Sequence, residues 1–184
     1  MKIGIIGAGN IGSTLAGKLS AKGHVIKLAA SRSPDELRKQ AKKLGATPVT
    51  PAQAVEDVDA IILSIPFATL PDLAGLFAEV PPEVIVMDTS NYYPMRDGRI
   101  DAVEDGMPES LWVSEKLRRP VVKVFNAVLA HTFAENGRAE GAHDRFAIPV
   151  AGDEAGAKQI AQTLVNDTGF DAFDAGGLAE SWRQ

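Results

Sequence analysis

Three glycines near the start of the chain stand at the spacing Gly7-x-Gly9-x-x-Gly12. In that pattern each has a separate task. Gly7 permits a tight turn, Gly9 lets the backbone approach a pyrophosphate, and Gly12 lets a helix pack closely on a strand. Ala8, Asn10 and Ile11 complete the turn. A helix starting there would aim its free N–H groups and positive end at the phosphates. A second set lies at Ala30-Ser31-Arg32-Ser33. Sites for NAD place an acid there to accept a hydrogen bond from the ribose 2′-hydroxyl. This chain has no acid there, but hydroxyls and a guanidinium, which would bind a 2′-phosphate. One or two charge-assisted hydrogen bonds of about 1.5–3 kcal/mol each predict a preference for NADP over NAD of roughly tenfold to a few thousandfold.

Further along, Ser64-Ile65-Pro66, Asn91 and Asn126 each follow an apolar run. They are expected at the carboxyl edge of a sheet, where open α/β folds hold their ligands. Turn formation is the structural alternative for both asparagines. His131 is expected near the same cleft, with helix capping or packing as its other role. His24 is expected at the surface and His143 in a polar loop. No Ser–His–Asp arrangement, metal-ligand spacing or catalytic lysine stands out. Cysteine is absent, which excludes disulfides and thiol chemistry and suits a reducing cytoplasm.

The elements that must position these groups follow from periodicity. Lys2 to Ile6 reads as a buried strand, and Ile11, Leu15 and Leu19, with Ala16 alongside, as one stripe of an amphipathic helix stopped at Gly23. Val25 to Ala29 is the second strand. Ser33-Pro34-Asp35-Glu36 is a capping box opening a helix to Leu44. Strands are expected at 47–49, 59–66, 84–88, 121–125, 146–151 and 170–174. Helices are expected at Pro51, over Pro71 to Ala78, through Leu111 to Leu117 and over Glu154 to Asp167, with a last turn at 178–182. Residues 95–110 read as an excursion, and Trp112 as a packing residue or a subunit contact. The apolar, unalternating run Ala60-Ile61-Ile62-Leu63 is the mark of a parallel strand covered on both faces. The fold expected is a doubly wound α/β Rossmann domain, with a mainly parallel sheet of about eight strands and helices on both faces.

The chain has 184 residues, of which 45% are hydrophobic and 23% charged, with a net charge of −5. These values suit one domain over 1–184, with a small C-terminal extension from about 145. No basic run suggests nucleic acid, and the N-terminal apolar run is too short to span a membrane. The fingerprint begins almost at Met1, which is not the layout of a signal peptide, so none is expected. A soluble cytoplasmic protein is the expectation.

Taken together, the glycine turn, the Ser31-Arg32 loop, Asp88-Thr89-Ser90-Asn91 and the Val-Lys-Val-Phe-Asn run at 122–126 resemble the coenzyme F420-dependent NADP oxidoreductase family. The oxidoreductase domain of the STEAP metalloreductases is similar too. The resemblance implies NADP(H) and a deazaflavin or flavin in one cleft. It implies Gly7 to Gly12 on the pyrophosphate, Ser31, Arg32 and Ser33 at the 2′-phosphate, and Ser64, Ile65 and Pro66 beside the cofactor. Asn91 and the segment Asn126, Ala127 to His131 would meet the second ligand. It further implies a small-molecule redox partner, a homodimer, and hydride transfer with no catalytic side chain. Two other functions fit the motifs. One is a non-catalytic NADP-binding or sensing module. The other is a small dehydrogenase or imine reductase; those families usually add a long helical dimerisation domain, and none is expected after Trp182, which counts against this reading.

Overall fold

The computed structural model describes all residues, Met1 to Gln184. Eight strands form one sheet: β1 (Lys2–Ile6), β2 (Val25–Ala29), β3 (Thr47–Pro48), β4 (Ala60–Leu63), β5 (Ile85–Asp88), β6 (Val122–Val124), β7 (Ala147–Ala151) and β8 (Asp171–Asp174). Their spatial order is β3-β2-β1-β4-β5-β6-β7-β8. The first six run parallel; β7 is antiparallel to β6, and β8 is parallel to β7. The order reverses between β1 and β4, so a crevice opens at their carboxyl ends, the place where such sheets bind ligands.

Helices α1 (Asn10–Ala21), α2 (Pro34–Lys43), α3 (Pro51–Ala54), α4 (Pro94–Asp97), α5 (Asp101–Glu104), α6 (Glu109–Leu117), α7 (Ala130–Glu135) and α8 (Ala155–Asp167) connect the strands. Buried side chains form two clusters of similar size, 22 and 19 residues, so both faces of the sheet are covered. On one face Leu15 and Leu19 of α1, Leu37 of α2, Phe133 of α7 and Leu164 of α8 pack on Ile3, Ile5 and Ile62. On the other face Trp112, Val113 and Leu117 of α6 pack on Ile61, Leu63 and Val86. Trp112 is therefore an intrachain packing residue, stacked on Phe67 with ring centroids 4.7 Å apart. Gly4 of β1 allows α3 to approach: a Cβ there would sit 1.8 Å from the Ala54 carbonyl oxygen.

Two local readings change. The helix expected over Pro71 to Ala78 is a 3₁₀ stretch over Phe67–Phe77, with Pro71 inside it. Proline supplies no N–H and clashes with the carbonyl one turn back, so an α-helix running on from Phe67 would be kinked or broken at Pro71. An α-helix starting at Pro71 is not barred in this way, and nothing in the structure explains why residues 71–77 wind more tightly. Phe67, Leu70 and Phe77 are nevertheless buried. His24, expected at the surface, has a side chain only 11% exposed, with Nε2 3.0 Å from Asp167 Oδ2. The excursion over 95–110 contains α5 and the end of α4, and it folds back through the Tyr92 hydroxyl, which donates to the Gly98 carbonyl and accepts from the Ile100 N–H. No helix is long and apolar enough to cross a membrane.

Candidate functional site

The site is built around the turn between β1 and α1. Gly7 has φ +116°, and a Cβ on it would lie 2.0 Å from the Ser64 carbonyl oxygen. A Cβ on Gly12 would lie 1.9 Å from the Gly7 carbonyl oxygen, so α1 can pack against the turn only through a hydrogen. Gly9 differs from both. It is the N-cap of α1 with φ −76°, and nothing lies within 4 Å of where its Cβ would stand. No side chain caps α1, and its first turn carries no acid. The amide groups of that turn therefore face outward without a resident anion, which is the arrangement that binds phosphate.

Two hollows flank this turn and share Gly9 and Ser64 to Pro66. The first, of about 610 Å³, is bounded by Gly7, Ala8, Ala30, Ser31, Arg32, Thr69 and Leu73 among others. Ser33 is outside it. Its hydroxyl donates to Glu36 Oε2 at 2.7 Å and accepts from the Glu36 N–H, so this side chain starts α2 rather than facing the hollow. Hydrogen bonding to Ser33 also holds the Glu36 carboxyl below its ordinary range. Arg32 is exposed, and its Nη2 donates to Gln40 Oε1 at 2.7 Å.

The second hollow, of about 530 Å³, is bounded by Asn10, Ile11, Thr89 to Asn91, Tyr93, Arg96 and Phe125 to Ala130. Asn91 and Asn126 come from neighbouring strand ends and are joined reciprocally. Asn91 Nδ2 donates to the Asn126 carbonyl at 2.9 Å, and Asn126 Nδ2 donates to Asn91 Oδ1 at 3.2 Å. Asn126 Oδ1 is buried without a partner. Ala127 lines the same hollow. His131 does not line it: its side chain is 81% exposed on α7, with Nδ1 3.4 Å from Glu135 Oε1. The contact with Glu135, one turn further along α7, and the exposure of the ring put it on the solvent side of the helix. Tyr93 forms the rim beneath the Arg96 guanidinium, which lies 4.9 Å from its ring. Tyr92 instead packs against Phe67.

The asparagine loop rests on a buried ion pair that lies outside the site residues expected from sequence. Lys123 and Asp88 are cross-strand neighbours on β6 and β5 and are 2% and 0% exposed. Lys123 Nζ donates to Asp88 Oδ2 at 2.9 Å and to the Ser90 carbonyl. Asp88 Oδ1 accepts from the Ser90 N–H and hydroxyl, at 3.0 and 2.7 Å. The signal was available: a lysine inside Val-Val-Lys-Val-Phe, on a strand with no route to water, requires a buried anion on the next strand. Glu109 Oε2 lies 3.8 Å from Lys123 Nζ and accepts from the Tyr92 N–H. Burial pushes its carboxyl above the ordinary range despite that ammonium. Phe125, between Lys123 and Asn126, has φ +65°, a left-handed conformation that costs a bulky residue about 1–2 kcal/mol. No sequence signal marks it. No group of three or more His, Cys, Asp or Glu is placed to hold a metal ion.

Comparison with known proteins agrees with this geometry. Residues 2–92 match the family described as NADP oxidoreductase, coenzyme F420-dependent. Among solved structures, a hypothetical protein (SMa0349) from Sinorhizobium meliloti superposes with a TM-score of 0.85 at 28% identity, over 98% of this chain and 87% of that one. A protein from Arthrobacter sp. FB24, described as a candidate F420-dependent NADP reductase, superposes with a TM-score of 0.77 at 23% identity, over 97% and 86%. Among curated proteins, YjhV from Escherichia coli (strain K12) is 58% identical over 45 residues, which are 24% of this chain and 33% of that protein. The chain thus matches only a third of the length of that relative.

Proposed function

We propose that this chain, whose residues 2–92 match the coenzyme F420-dependent NADP oxidoreductase family, binds NADP(H) across its glycine turn and exchanges a hydride with F420 or a flavin. The observation that carries the reading is Gly9. Its backbone angle suits any residue and no neighbour occupies its Cβ position, so neither strain nor packing explains a glycine there. A bare backbone at an uncapped helix start is what a closely approaching pyrophosphate needs. Ser31 and Arg32 at the adjoining hollow supply the hydroxyl and guanidinium that suit a 2′-phosphate.

When bound, the reduced nicotinamide supplies a hydride and the deazaflavin or flavin takes it up together with a proton from solvent. The chain's own residues orient and enclose. Ser64 to Pro66 form the wall common to both hollows, and the Asn91–Asn126 pair fixes the shape of the opposite one. Leu129 and Tyr93 add apolar surface that displaces water. Arg96 is the one charged residue lining the second hollow, which has no carboxylate, histidine or lysine on its wall. That lining favours direct transfer between aligned rings, which needs position rather than a protein acid or base.

The test has two parts. Anaerobic mixing of the protein and NADPH with oxidised F420, FMN or FAD should bleach the visible absorbance of at least one acceptor. Tight NADPH binding with no bleaching by any of the three would overturn the redox reading and favour a sensing module. Separately, Arg32→Ala should weaken NADPH roughly ten- to 150-fold, from the loss of one charge-assisted hydrogen bond, and leave NADH nearly unchanged. Equal affinities for the two cofactors before and after the change would remove the 2′-phosphate assignment.

A further inference from the structure

We infer that Gln40 sets the preference for a 2′-phosphorylated cofactor by holding Arg32 in place without neutralising it. This deepens the proposed function and rests on the assignment of the 2′-phosphate to Ser31 and Arg32. The geometry is a bridge between the two halves of the site. Gln40 Oε1 accepts from Arg32 Nη2 at 2.7 Å. Its Nε2 donates to the Ala8 carbonyl at 3.0 Å and to Ser13 Oγ at 2.7 Å. Ser13 Oγ in turn donates to the same Ala8 carbonyl at 3.0 Å. Chemistry fixes the orientation of the amide, because a guanidinium can only donate and a carbonyl can only accept. One side chain therefore ties the guanidinium to the backbone of the glycine turn.

The tether stands on a rigid support. Gln40 lies on α2, whose first turn is fixed by the Ser33–Glu36 capping box. Leu37 and Ala41, on either side of Gln40, are wholly buried. Arg32 itself is exposed and has no carboxylate within 4.0 Å, so its partner in the protein is this neutral amide. The distinction matters electrically. A carboxylate at this position would still accept from Arg32, but it would have no hydrogen for the Ala8 carbonyl, would offset the guanidinium's charge and would repel the phosphate. An amide restricts a long, rotamer-rich side chain and adds no opposing charge of its own; Glu36, the carboxylate that feels Arg32 electrostatically, is itself held by Ser33. Gln40 is a positioning residue, not one that need touch the cofactor.

The experiment compares Gln40→Glu, Gln40→Leu and the wild type. Dissociation constants for NADPH and NADH are measured by nicotinamide fluorescence, with adenosine 2′,5′-bisphosphate as a competitor that lacks the nicotinamide. Thermal melting confirms that each variant is folded. The wild type should prefer NADPH. Gln40→Glu should lower the NADPH-to-NADH preference about tenfold or more and weaken the bisphosphate in parallel, while NADH changes less than about threefold. Gln40→Leu, which frees Arg32 without adding a charge, should give a smaller loss of preference. A folded Gln40→Glu variant with the wild-type preference would overturn the inference and leave the 2′-phosphate assignment standing. Equal loss of both cofactors would overturn it as well, since that marks a purely structural part in the turn. A wild type that binds NADH as tightly as NADPH would instead sink the assignment first, and the inference with it.

Discussion

Replacing Lys123 by methionine removes the ammonium from the interior while keeping much of the volume. Asp88 is then left 0% exposed without its cation. Breaking a buried pair from one side costs about 3–5 kcal/mol, because the remaining charge has neither water nor a counterion. Asp88 keeps two hydrogen bonds, from the Ser90 N–H and hydroxyl, which places the expected loss near the lower bound, about 3 kcal/mol. For a chain of this size each 1 kcal/mol moves the melting temperature by about 2–4 °C, so the variant should melt roughly 6–12 °C lower. Adding Asp88→Asn to Lys123→Met removes the stranded charge and should recover most of the loss. Urea titrations followed by circular dichroism on the wild type, both single variants and the double variant give the coupling energy directly. Because Lys123 also grips the Ser90 carbonyl, the single variant should loosen the Thr89–Asn91 wall and weaken the second ligand. A Lys123→Met variant within about 1 kcal/mol of the wild type would refute the reasoning, since a buried anion would then stand unpaired at almost no cost.

Two further outcomes follow from the same geometry. Gly9→Ala should melt within about 2 °C of the wild type, as surface changes usually do, yet bind NADPH more than about tenfold less tightly. Gly12→Ala, whose Cβ would meet the Gly7 carbonyl at 1.9 Å, should lose stability as well as binding. Melting curves beside NADPH titrations separate the two, and a Gly9→Ala variant with undiminished affinity would count against the phosphate cradle. Glu109→Gln tests the half-buried carboxyl. Burial raises its folded value above the ordinary 4.5, so the native state holds a proton that the unfolded chain releases, and stability falls as pH rises through that window. The variant lacks this titration. It should therefore gain on the wild type as pH rises above the ordinary carboxylate value of 4.5, and a difference in stability that stays flat with pH would contradict the burial argument.

The frame of the fold is written locally in the chain. A buried strand, three spaced glycines and an amphipathic helix are local signals, and the covered strand at Ala60–Leu63 announces itself by composition alone. The Ser31-Arg32 loop could be placed beside the glycine turn from sequence, since it directly follows β2, and it does line the adjoining hollow. The capping box at Ser33 was also legible, but not its consequence, since only the folded loop decides that this hydroxyl faces Glu36 rather than the hollow. Tertiary structure decided the rest. The Asn91–Asn126 pair joins residues 35 apart in the chain, and Gln40 meets Ala8 across 32 positions. Those contacts depend on strand order and on how α2 lies against α1, which periodicity does not encode. His131 moved out of the cleft for the same reason, because rotation about a short helix selects the face a side chain takes. Lys123 lies between these cases: its burial could be read from the apolar run around it, but its partner only from the register that sets β6 beside β5. A parallel sheet brings distant residues together edge to edge, and the chemistry of this site resides in those meetings.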